Sequence, residues 1–334
     1  METRKVQVTG GSTYTVSLPK EWATDNEVSA GSIVEFHSEE DLLLLSPKDE
    51  TDRTEGRLDI TGLESDHELT RAVMTMYVSG FDIITLEANR ITAAQRRVIR
   101  EATQGLVGLE VIEETSEDVV LQDLLDSSEL SVNNAITRMR LVSLTMLSDA
   151  VDALIEDDDD LAEDVIQRDD DVDRLWYMVS RVFRTVLRDP TAARDIGFPR
   201  ETVFDYQSAA RQLERIADHA AKIAQIALEI EGSNEDEGET LSGLRDAAVS
   251  VPELAMDALF EDDSDEATRM ANEARAMIRD IDAHAREVDN EIRQLDDPQR
   301  AQRLGLVVDS LTRTADYGSN IAESALQKAA PRPS

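Results

Sequence analysis

Two carboxylates four residues apart carry the first chemical signal in this chain. Glu214 and Asp218 lie within Leu213-Glu214-Arg215-Ile216-Ala217-Asp218-His219-Ala220-Ala221-Lys222-Ile223-Ala224, and on a helix they project from one side. The same stripe carries Ala210, Ala217 and Ala221, so the acids are set among small apolar residues. The stretch Leu311-Thr312-Arg313-Thr314-Ala315-Asp316-Tyr317-Gly318-Ser319-Asn320-Ile321-Ala322, 98 residues on, keeps Leu, Arg, Ala, Asp, Ile and Ala in register without a gap. Acids set into alanines point to a site presented to a cation or a neighbouring helix. The alternative is a solvated stripe paired with Arg215.

A second acidic pair at helical spacing, Asp169 and Asp173, precedes the first. If the two helices lie side by side, Asp169, Asp173, Glu214 and Asp218 converge. Four carboxylates together cannot all stay ionised without a counter-charge, so a cation or an arginine must stand among them. All-oxygen ligation suits magnesium, calcium or manganese, with iron or zinc as further candidates. In the second half Asp309, Thr312, Asp316 and Asn320 share one side of a helix, with Asp280 and His284 as companions on the helix before it. Thr312 stands where the first half has a glutamate, which makes the second cluster the poorer one.

The elements that must position these residues are helices. Apolar periodicity predicts them over 129–156 (capped by Ser128), 161–188, 201–231, 240–260, 264–295 and 298–328. A loop is expected over 191–199, a linker over 232–239, and a bend or break near Pro252. Three long helices therefore occur twice, with the repeated motif in the third of each set, as in a pseudo-symmetric bundle. The domain division read from these patterns is 1–48, 56–123, 125–232 and 239–330.

Before the helices come two smaller regions. Residues 56–123 alternate strand and helix in the order β-α-β-α-β-β, a small α+β layer without a Gly-rich phosphate loop or a nucleophile signature. Residues 4–47 read as four short strands and one turn of helix, too thin for an independent core, so a partner copy is expected.

Composition narrows the function classes. The formal charge is −37 and only five of the 34 basic residues are lysine, the surface expected of a protein dissolved in concentrated salt. The absence of cysteine excludes disulfides and thiolate chemistry. The longest aliphatic run is Leu42 to Leu45, far below the ~20 residues of a membrane span, so a soluble, cytoplasmic protein is expected.

Two resemblances rest on these motifs. Arg4-Lys5-Val6-Gln7, the block Ser12-Thr13-Tyr14-Thr15-Val16-Ser17-Leu18-Pro19-Lys20-Glu21-Trp22, and Gly31-Ser32-Ile33-Val34 resemble the SpoVT/AbrB family of swapped-hairpin domains. That resemblance implies an intertwined homodimer and DNA binding through Arg4, Lys5 and Lys20. The departure is charge, since residues 1–50 hold four Lys/Arg against ten Asp/Glu, where nucleic-acid binders usually show a basic footprint. The Glu214-Arg215-Ile216-Ala217-Asp218-His219 run with Ile223-Ala224, and its echo at Ala315-Asp316-Tyr317 with Asn320-Ile321-Ala322, resemble PhoU, a regulator built from two three-helix repeats. The PhoU resemblance implies metal at Glu214 and Asp218, with Asp169, Asp173 and Asp316 beside them. It also implies negative regulation of phosphate uptake through contact with a transporter ATPase or a sensor partner.

The resulting expectation is a multidomain regulator: a swapped-hairpin β domain, an α+β middle layer and an all-α domain of two three-helix repeats. It binds DNA and a metal cation and is not an enzyme. The alternative is a scaffold that regulates a phosphate transporter through protein contacts alone. A carboxylate-bridged metal enzyme would need Glu-x-x-His on two helices, which the helical half lacks.

Overall fold

Alternating apolar and polar residues build the first short hairpin in the N-terminal unit, Met1–Arg53, of the computed structural model. The structure describes all residues except 1–2, 40–41, 48–52, 64, 125–130, 231, 233–234 and 332–334. Strands β1 (Gln7–Thr9) and β2 (Thr13–Thr15) pair antiparallel around Gly10 and Gly11, whose φ of +65° and +86° suit glycine. Helix α1 (Lys20–Asp25) follows, then β3 (Val34–Glu39) and β4 (Leu42–Pro47) as a second, separate hairpin. Among the described residues of this unit only His37 is buried, while Val6, Val8, Tyr14, Val16, Ile33 and Phe36 are each more than half exposed. The described residues of the unit therefore form no core of their own.

The second unit, Thr54–Ser334, holds the other two regions. In chain order its first elements are β5 (Glu55–Asp59), α2 (Asp66–Val78), β6 (Ile83–Glu87), α3 (Ala93–Gln104), β7 (Leu109–Glu114) and β8 (Asp118–Asp123). They form one mixed sheet, ordered β5-β6-β8-β7, with β5 and β6 parallel across the α2 crossover and the other pairs antiparallel. Ile84, Leu86, Val119 and Leu121 bury one sheet face against Val73 and Tyr77 of α2 and Ile99 of α3.

The helical region contains α4 (Val132–Glu156), α5 (Asp159–Arg188), α6 (Pro190–Ile196), α7 (Arg200–Ala227), α8 (Glu235–Phe260), α9 (Ser264–Ile292) and α10 (Pro298–Ala329), around one continuous aliphatic core. Four local expectations change. Helix α4 is capped by Ser131, which accepts from the Asn134 N–H at 3.2 Å; residues 128 and 129 lie outside the described set. The expected loop over 191–199 contains the seven-residue α6, opened by Pro190, a residue suited to a first helical position. The expected linker over 232–239 is half helix, because α8 starts at Glu235, where acidic residues favour a helix N-terminus. Helix α8 also runs through Pro252 without a break.

The two helix triplets are related more extensively than one motif indicates. Asp152-Ala153-Leu154-Ile155-Glu156-Asp157-Asp158 recurs 105 residues on as Asp257-Ala258-Leu259-Phe260-Glu261-Asp262-Asp263, and Asp158 and Asp263 both cap the helices that follow. Arg140 of α4 pairs with Asp257 of α8 at 2.6 Å, and Arg245 of α8 pairs with Asp152 of α4. These are the same bridge seen from either side of a pseudo-two-fold, since Arg140 and Arg245 are also 105 apart. Past α6 the offset falls to 98, and the difference equals the seven residues of α6, which the second triplet lacks. In the 98-residue frame His219 of α7 and Tyr317 of α10 are counterparts, and they touch, Tyr317 Oη lying 3.3 Å from His219 Nε2.

Gly318 explains how Pro252 is accommodated. A Cβ at Gly318 would lie 2.6 Å from Pro252 N and 2.9 Å from Val251 Cγ1, so α8 and α10 pack backbone to backbone there. Gly318→Ala is therefore expected to destabilise by about 1–3 kcal/mol in denaturant unfolding, as overpacking does, despite alanine's better helix propensity. A neutral or stabilised variant would show that the helices part without cost.

Candidate metal centre

Helices α5 and α7 pack side by side, and their i, i+4 spacing brings the two acidic pairs to one seam. Asp169 and Asp173 come from α5, and Glu214 and Asp218 from α7. Glu214 is buried and Asp169, Asp173 and Asp218 are half-buried. Burial first, then the charges of Asp169, Glu214 and Asp218, pushes the Asp173 carboxyl up to about 7. Burial and the Asp218 charge push Asp169 up to about 6, with Lys222 opposing. Glu214 is also raised, chiefly by burial, against the pull of Arg211.

Arg211 supplies part of the counter-charge. Its Nη1 donates to Glu214 Oε1 at 2.6 Å, and its guanidinium lies over Trp176. Arg215 lies over the Tyr317 ring, 5.6 Å from its centroid. Two carboxylate oxygens, Asp169 Oδ1 and Glu214 Oε2, are buried without a hydrogen-bond partner. Unmatched acceptors beside like charges are what a hard cation would satisfy. Among the described residues no three acidic or histidine side chains are yet gathered closely enough to ligate an ion.

Asp309 and Asp316 stand apart from this seam. Asp309 is exposed on α10, and Asp316 pairs with Arg313 at 3.4 Å. Thr312 turns its hydroxyl back to the Val308 carbonyl, Asn320 donates to Gln212 Oε1, and the His284 ring lies over Gly243. The residues 105 or 106 positions on from Asp169 and Asp173 are Ala274 or Arg275 and Ile278 or Arg279, so neither register puts a carboxylate on α9 there.

Sequence reasoning missed Tyr177 and Arg181, which extend the face of α5 that carries Asp169 and Asp173. Burial and the charges of Asp173 and Glu214 push the Tyr177 hydroxyl up to about 12, and its ring packs on the α+β core. Four residues on, the buried Arg181 pairs with Asp82 and Asp123 of the α+β layer. The 169-173-177-181 spacing was the available signal. In the N-terminal unit Arg4 and Lys5 precede β1 and Lys20 opens α1; all three are exposed.

Comparison with known proteins matches two segments of the chain. Residues 136–227 match the family described as PhoU domain, and residues 7–52 match the one described as antidote-toxin recognition MazE, bacterial antitoxin. PhoU from Pseudomonas aeruginosa is similar in structure at 24% identity and a TM-score of 0.51, over 60% of this chain and 96% of that one. The phosphate transport system regulatory protein PhoU from Streptococcus pneumoniae is similar at 20% identity and a TM-score of 0.44, over 58% and 91%. No curated protein matches the chain.

Proposed function

We propose that this chain regulates phosphate uptake from the cytoplasm, coupling an N-terminal dimerising and DNA-binding module to a helical domain that takes up a divalent cation. The observation that carries the reading is one chain holding both a MazE-like segment over 7–52 and a PhoU domain over 136–227 whose helices bear the carboxylate seam. No helix among the described residues is long and apolar enough to cross a membrane, so contact with a transporter would be made through its ATPase or a sensor protein.

Asp169, Asp173, Glu214 and Asp218 would hold the cation, whose charge would offset the burial and the neighbouring like charges that raise Asp169 and Asp173. The exposed Val8, Tyr14, Val16 and Ile33 support a second copy covering the N-terminal hairpins. Arg4, Lys5 and Lys20 would then meet the phosphate backbone. A scaffold acting only through protein contacts is the second reading, favoured by the excess of acid in residues 1–50.

Deleting residues 1–48 separates the two. In a salt-matched mobility-shift assay on phosphate-responsive promoter DNA, the full chain is expected to shift the DNA and the truncated chain to lose at least tenfold in affinity. Equal binding by both, or by neither, would remove the DNA-binding role.

A further inference from the structure

The second triplet ends in a cavity of about 250 Å³ between the start of α8, the end of α9 and the start of α10. Its floor is apolar, formed by Leu241, Val288, Ile292 and Leu304, and its rim carries the carboxylates of Asp236 and Glu291. Glu237, also on the rim, is held by Arg300 at 2.7 Å.

The first triplet fills the equivalent place, and the pseudo-symmetry shows with what. The counterpart of Leu304 in the 98-residue frame is Tyr206, which packs edge-on against Phe198 and Phe260. Phe198 arrives on the connection that carries α6, whose Ala192 and Ala193 are buried in the core. The connection from α9 to α10 is five residues long; it adds Leu295 to the cavity lining but brings neither the helix nor the aromatic ring. The counterparts of Leu241 and Glu237 in the 105-residue frame are Ile136 and Val132, both fully buried. A wall that the first triplet closes with valine, tyrosine and an inserted chain segment is thus left open in the second and lined with acid.

We propose that this cavity receives a short segment of a partner polypeptide that presents one aromatic or aliphatic side chain beside a lysine or arginine. The apolar side chain takes the floor, in the role Phe198 has in the first triplet, and the cationic group meets Asp236 and Glu291. The internal counterpart argues for a polypeptide, because a chain segment is what occupies the equivalent place in this molecule.

The probe is a blocked ten-residue alanine-based peptide carrying one arginine and one phenylalanine four positions apart, the spacing of Arg194 and Phe198. Titrated into the full chain, it is expected to perturb the methyl resonances of Leu241, Val288, Ile292 and Leu304 saturably, with a Kd below about 1 mM. Glutamate for its arginine, or alanine for its phenylalanine, is expected to weaken binding at least tenfold. So is the Asp236→Asn/Glu291→Gln double substitution, whose positions are exposed and leave the core intact. Leu304→Trp, which fills the floor, should abolish binding where it folds. The proposal fails if the methyls do not respond, if the glutamate peptide binds equally well, or if free 4-phenylbutylamine binds as tightly as the peptide.

Discussion

Metal-free wild-type protein loses stability relative to Asp173→Asn as the pH rises from about 4 to about 7. The cause is the carboxylate seam. Asp169 and Asp173 are raised from 3.8 to about 6 and about 7, so the folded state holds their protons more tightly than the unfolded chain does. Below pH 4 both states are protonated and nothing is lost. Above pH 7 both groups are ionised in both states and the full cost of desolvated, mutually repelling charge is present. After allowance for the water that reaches both side chains, that cost is about 2 kcal/mol.

The comparison must be wild type against variant. Pairs such as Glu114 with Arg100, where the carboxyl is held below its usual range, contribute a pH dependence of the opposite sign. Denaturant unfolding at constant salt from pH 4 to 8 reads the difference. A divalent cation at about 100 times its Kd should stabilise the wild type by about 2.7 kcal/mol at pH 8, release protons on binding at pH 6, where Asp169 and Asp173 still hold them, and do neither for Asp173→Asn. Parallel pH profiles for the two proteins would sink the argument that these side chains share one desolvated site.

Arg181→Met is expected to cost about 3–5 kcal/mol, because it takes the counter-charge away from a buried carboxylate. Arg181 is 4% exposed, and its guanidinium donates to the Tyr77 carbonyl at 2.9 Å and the Phe81 carbonyl at 2.8 Å. It also pairs with Asp82 at 2.8 Å and with the buried Asp123 at 2.9 Å, and lies over the Tyr77 ring. All these partners belong to the α+β layer, so one side chain of α5 fastens that layer to the helices. The variant should therefore unfold in two steps, with the α+β layer melting first by near-ultraviolet dichroism. Adding Asp123→Asn should recover part of the loss, since it removes the charge left behind. Arg181→Lys will not rescue, because a lysine cannot serve carbonyls and two carboxylates from one planar fork. A loss under 1 kcal/mol for Arg181→Met would mean that the layer is held by apolar packing alone.

Both effects arise on α5, and that helix shows how far the sequence could be followed. Asp169, Asp173, Tyr177 and Arg181 share a face by spacing alone. That the face meets Glu214 at one end and Asp82 and Asp123 at the other depends on which helix and which strands pack against it. The repeat shows the same limit. The twelve-residue echo at 98 was legible because it is ungapped. The echo at 105, also ungapped over Asp152–Asp158, was missed because α6 shifts the frame by seven residues, and the reciprocal Arg140–Asp257 and Arg245–Asp152 bridges show that it is structural.

What is local was written along the chain: which stretches are helix or strand, which side chains share a face, and that the surface is strongly acidic. Those properties follow from backbone periodicity and composition, and need no distant partner. What the faces meet was settled only by packing. It buried Glu214 and half-buried Asp169, Asp173 and Asp218 beside it, set the absence of an inserted helix opposite its presence, and left a cavity where the difference falls. Such outcomes depend on apolar surface buried between residues a hundred positions apart, and no spacing along one helix encodes that choice.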